Sequence, residues 1–129
     1  MHNRLQEAPN NIRLLILCPE PELRKDLEEF FRSDDHFPNI HLVDAVDTLA
    51  EGRMTVRRLC PDVVLLVDIG QTDAWTNESL QFSKELNLDF RDISTLLLTT
   101  ASKATPNYLR GAMNARVFDV IQAGHTSSG

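Results

Sequence analysis

The segment LLILCPEPELRKDL, residues 14–27, decides how the rest of the chain is read. Its first four residues are continuously apolar, the pattern of a strand buried on both faces, and such strands belong to parallel sheets covered by helices. The remainder carries Leu23 and Leu27 at helical spacing, continued by Phe30 and Phe31. Pro21 stands at a favourable first-turn position and Glu22 beside the positive end of the helix. A strand therefore runs into a helix through Cys18-Pro19-Glu20-Pro21, and the chemistry of that junction becomes the question.

Working outward, five short runs rich in Leu, Ile and Val recur, at residues 12–17, 40–43, 63–67, 95–98 and 117–121. Helical patterns separate them. The second helix is expected over 49–59, with Leu49, Val56 and Leu59 inward and Pro61 stopping it; Gly52 weakens that pattern. Asn77 is expected to cap a third helix carrying Leu80 and Leu86, after a loop that contains Trp75. Thr105 and Pro106 open a fourth, with Leu109 and Met113 inward. Strands alternating with helices predict βαβ units whose right-handed crossovers wind onto both faces of one sheet.

The chain has 129 residues, of which 42% are hydrophobic and 25% charged, enough for one domain burying about two-thirds of its unfolded surface. The expected organisation is a flexible arm at 1–11, a folded domain at 12–122 and a flexible tail at 123–129. A formal charge of -6 repels phosphate backbones and anionic headgroups, which argues against nucleic acid and membrane as partners. Arg53, Arg57 and Arg58 form the densest basic cluster, at the spacing of a solvated helix face. Cys18 and Cys60 each precede a proline with no CxxC pair or histidine cluster nearby, so both are read as buried reduced thiols. With no apolar run long enough for a signal peptide or a membrane span, a cytoplasmic protein is the expectation.

The segments ILCPEPELRKDL, CPDVVLLVDIG, LLLTTAS and LRGAMNARVFDVIQ together resemble, in order and spacing, the receiver domain of two-component response regulators. The likeness covers residues 12–122. It implies a flavodoxin-like (CheY-like), doubly wound α/β fold with five parallel strands ordered 2-1-3-4-5 and ligands beyond the carboxyl ends of the strands. Receivers carry an acidic pair after the first strand, a phosphoacceptor aspartate ending the third, Thr or Ser ending the fourth and lysine ending the fifth. Acidic oxygens hold magnesium, the aspartate attacks phosphorus, and the hydroxyl and ammonium groups bind its oxygens.

Here the acidic pair falls on Cys18 and Pro19, which magnesium does not favour. Glu20 is the nearest carboxylate and matches the residue that caps the first helix. The phosphoacceptor position counts to Val67, so that Asp68 arrives one residue late and alternation would aim it at the other face unless a bulge intervenes. Thr100 matches the hydroxyl position, while Gln122 or Ala123 stands where lysine should.

The resemblance is thus to a degenerate receiver, or pseudo-receiver. Such domains act as interaction or signalling modules at the N-termini of larger regulators, and resemble the first domain of pilus-assembly localisation ATPases of the TadZ/CpaE type. No catalytic residue, cofactor or metal is expected, and the protein is not expected to be an enzyme. Asp68 and Thr100 would be vestigial, with Glu20 and Asp68 as the residual metal candidates. The alternative is a working phosphoacceptor using Asp68, Glu20 and Thr100 with an altered magnesium site. A flavodoxin-like small-molecule site is disfavoured, because CPEP places two prolines where backbone donors would be needed.

Expected partners are another protein, a following domain of a longer chain, or a second copy. The fifth helix that receivers place after their last strand has no counterpart before Gly129, so apolar side chains of strands three to five should be left partly bare. Trp75, Val117 and Val120 are the residues expected to serve such contacts.

Overall fold

The computed structural model describes residues 11–33 and 37–123. The arm expected at 1–11, up to residue 10, and the tail expected at 123–129, from residue 124, lie outside the described residues. Strands and helices alternate: β1 (Ile12–Leu17), α1 (Pro21–Arg32), β2 (Ile40–Val46), α2 (Leu49–Leu59), β3 (Val63–Asp68), α3 (Asp73–Asp89), β4 (Ser94–Thr100), α4 (Pro106–Asn114) and β5 (Asp119–Ala123). The five strands form one parallel sheet in the order β2-β1-β3-β4-β5, the flavodoxin-like order that the resemblance to receiver domains implies. Two compact units divide the chain, Met1–Val63 and Val64–Gly129.

In the first unit β1 and β2 pair from Ile12 opposite Ile40, with a bulge that shifts the register between Leu14 and Leu15. Leu14 to Cys18, Leu42, Val46 and Val56 are its buried apolar residues. Glu20 caps α1, its Oε1 accepting from the amides of Glu22 at 3.0 Å and Leu23 at 3.2 Å. Leu23, Leu27 and Phe31 are half-buried, whereas Phe30 is exposed and meets Phe31 and Phe37 edge-on with ring centroids 5.2 and 5.4 Å away. The end of α2 is closed from β1: the Arg13 guanidinium donates to the carbonyls of Leu59 and Cys60, a favourable place for a cation. Cys60 adopts a left-handed φ of 47° at this cap and is exposed. Only Cys18 is the buried thiol expected of both; the helix end turns the other outward.

In the second unit Val64 to Val67, Phe82, Leu86, Ile93, Leu97, Ala112 and Ala115 are buried. α3 begins at Asp73, capped by Thr72 and not by Asn77, because Thr72 accepts from the Trp75 amide at 3.2 Å and Asp73 supplies a first-turn acid. Trp75 therefore sits in a first helical turn, half-buried, and not in a loop. Thr105 caps α4 as expected, accepting from the Tyr108 amide at 3.3 Å. Its inward face is Ala112, with Met113 74% exposed, because the nine-residue helix turns Met113 a further 100° or so away.

β5 begins at Asp119, two residues later than the apolar run from Val117. Along β4, Thr95, Leu97 and Thr99 are buried while Leu96, Leu98 and Thr100 are half-buried, and Leu98 pairs with the exposed Ile121. The expected bare strip is thus confined to β4 and β5, since Leu65 and Val67 of β3 are buried.

Candidate functional site

The residue that ends β3, Asp68, is 0% exposed. Alternation puts it on the same strand face as Val64 and Leu66. Removing a carboxylate from water costs several kcal/mol unless partners compensate it, and the second unit supplies three. Lys103 Nζ donates to Oδ1 at 2.9 Å; Thr76 Oγ1 and Tyr108 Oη donate to Oδ2, each at 2.8 Å. The Asp68 carbonyl accepts from Thr99 Oγ1 at 3.0 Å.

Local structure aims each partner. The Thr72 cap starts α3 so that Thr76 falls in its first turns, and the Thr105 cap does the same for Tyr108 in α4. Lys103 lies in the turn after β4, its amide bonded to the Thr100 carbonyl at 3.1 Å. Its ammonium also donates to the Gln71 carbonyl at 2.9 Å, presented just after Gly70, whose φ of +74° suits glycine. Burial pushes the Tyr108 phenol well above its ordinary value, and the Asp68 carboxylate it donates to adds to that rise. Tyr108 therefore stays a neutral donor at physiological pH. A concavity of about 500 Å3 adjoins this network, lined by Thr76, Lys103 and Tyr108 with Asn77, Ser102 and Asn107 among others.

The other residues singled out by sequence lie elsewhere. Cys18 is buried with its Sγ 3.5 Å from the Glu20 carbonyl, and burial pushes its thiol up, so it stays protonated. Glu20 uses Oε1 on two helix amides. Thr100 is half-buried with its hydroxyl 3.3 Å from Ser102 Oγ; the β4 hydroxyl bonded to Asp68 is that of Thr99. Gln122 is exposed and Ala123 half-buried at the end of β5, while Val117 and Val120 are half-buried. Among the described residues no three His, Cys, Asp or Glu gather as a metal site. Magnesium seeks several free hard oxygens, and these donors suit it poorly, because the Asp68 oxygens already accept from an ammonium and two hydroxyls.

Sequence reasoning did not find Lys103, Tyr108, Thr76 or Thr99. Only Thr99 had a local signal: alternation along STLLLTT groups Thr95, Leu97 and Thr99 on one face. Among the described residues no helix is long and apolar enough to cross a membrane.

No protein-family model and no curated protein matches the sequence. Solved structures do match. The receiver domain of the response regulator NarL from Mycobacterium tuberculosis superposes with a TM-score of 0.70 at 16% identity, over 88% of this chain and 85% of that one. The response regulator domain of CheB from Thermotoga maritima gives 0.70 at 17% identity, over 92% and 83%. A pilus assembly-related protein from Burkholderia pseudomallei gives 0.68 at 20% identity, over 88% and 78%. Likeness at these identities is one of fold: the chain has the CheY-like fold of response-regulator receiver domains.

Proposed function

We propose that this chain is a pseudo-receiver, a signalling or interaction module that contacts protein partners and is not switched by phosphorylation. The observation that carries this reading is the internal engagement of Asp68. Attack on phosphorus needs an accessible oxygen lone pair and electrostatic relief for the incoming phosphoryl group. Both oxygens of Asp68, itself 0% exposed, instead accept from Thr76, Lys103 and Tyr108. The fold then serves to present surfaces. The β4–β5 strip, with Leu96 and Leu98 half-buried and Ile121 and Phe118 exposed, suits a second copy, a following domain or another protein, with Val117 and Val120 beside it.

A second reading has one observation in its favour. Lys103 holds a cation 2.9 Å from Asp68, the kind of group that would bind phosphoryl oxygens, and Asp68 would then be a phosphoacceptor. Incubation with acetyl phosphate and magnesium, followed by intact-mass measurement, separates the two. No mass gain and no magnesium-dependent rise in Tm is the expected result. A gain of one phosphoryl group that disappears in Asp68→Asn would establish the second reading. Sedimentation reads the contact role: association that Phe118→Ser weakens supports the β4–β5 strip, and no association even with a verified partner removes it.

A further inference from the structure

A second concavity, of about 510 Å3, lies away from Asp68 and is lined by Lys84, Asn87 and Leu88 of α3, Arg91 just beyond it, Asn114 ending α4, and Arg116. Three of the chain's thirteen Lys and Arg residues gather here, in a chain of net charge -6, and no carboxylate is among the lining residues. Among the described residues neither Lys84 nor Arg91 makes an ion pair.

The rim is held in shape. Arg116 has a left-handed φ of 63°, unusual for a residue other than glycine. The Asn87 side-chain amide donates to its carbonyl at 3.1 Å, its own amide bonds the Met113 carbonyl at 3.0 Å, and Ser83 Oγ donates to the Ala115 carbonyl at 2.8 Å. The cations therefore border a surface fixed by hydrogen bonds before any ligand arrives, which lowers the ordering cost of binding. Beside them Leu88 is 81% exposed, an apolar contact within reach of the same charges.

We propose that this concavity binds an acidic segment of a partner protein, with two or more Asp or Glu side chains on Lys84, Arg91 and Arg116 and one apolar side chain on Leu88. Charge complementarity selects the class. A phosphorylated small molecule would want the backbone N–H cradle of a glycine-rich turn or helix N-terminus, which these lining residues do not offer, so the attraction here comes from separate side-chain cations. A nucleic acid carries many more charges than Lys84, Arg91 and Arg116 can offset, and the excess would meet the repulsion of a chain of net charge -6, whereas two or three carboxylates are matched by these cations. This site shares no residue with the Asp68 network, so the proposal stands or falls apart from the phosphorylation question.

The test is fluorescence anisotropy of a labelled peptide of glutamates flanking one leucine, titrated with the intact chain. Binding is expected that weakens as salt rises, falls about tenfold with Lys84→Glu and again with Arg91→Glu, weakens on Leu88→Ser, and is untouched by Lys25→Glu on α1. Absence of binding, or binding that Lys84→Glu and Arg91→Glu leave unchanged while the folded chain persists, overturns the proposal. So does a lowered Tm in these variants without any peptide affinity in the parent, the result expected if the cations serve only the helix ends. Tighter binding of a single-stranded oligonucleotide of equal charge would overturn the assignment to protein.

Discussion

The ends of β1 and β3 use their carboxylates in opposite ways. After β1, Glu20 is an exposed helix cap whose charge stays in water while one oxygen takes two amides. At the end of β3, Asp68 is wholly buried and holds a turn, two helix starts and a strand through Lys103, Thr76, Tyr108 and Thr99. A solvated carboxylate can be lost cheaply, because water replaces its bonds. A buried one cannot, because its removal leaves the part-buried Lys103 ammonium and two hydroxyls without the acceptor they converge on.

Removing Asp68 should therefore produce the largest effect. Asp68→Ala is expected to lower stability by about 3–5 kcal/mol in urea denaturation, and Lys103→Met, which strands the carboxylate instead, by a comparable amount. The double variant should lose less than the sum, since the two residues form one coupled pair. Additive losses would mean that Asp68 and Lys103 do not interact in solution, and the contrast between the strand ends would collapse.

Tyr108→Phe should cost about 2 kcal/mol, the loss of one hydrogen bond to a charged acceptor. It also carries a pH signature. The folded phenol is raised above its ordinary value near 10, so the folded state holds that proton more firmly than the unfolded chain does. The contribution is complete below pH 10 or so and is lost as pH rises beyond it. Urea midpoints measured on either side of that pH should show a decline in the parent that is smaller in Tyr108→Phe; equal slopes would place the phenol in water.

Smallest is Glu20→Ala, expected to cost about 0.5–1 kcal/mol through the lost cap. A loss as large as that of Asp68→Ala would show that Glu20 has a buried partner in solution, and the two strand ends would be alike.

The sequence by itself carried what depends on near neighbours. Continuous apolar runs announced strands, Pro21 with Glu22 marked the start of α1, and Thr105 with Pro106 marked that of α4, because caps and first turns are set within a few residues. It was less decisive where local signals compete: Thr72 with Asp73 outdid Asn77 as the cap of α3, and the apolar run 117–121 slid two residues against β5. The partners of Asp68 were beyond its reach. Lys103 and Tyr108 lie 35 and 40 residues further along, and nothing local to a lysine or a tyrosine says which carboxylate it will meet. Only the tertiary structure decided that, since parallel crossovers bring the ends of successive strands and the starts of their helices together, and a carboxylate buried there must take its donors from whatever those crossovers deliver.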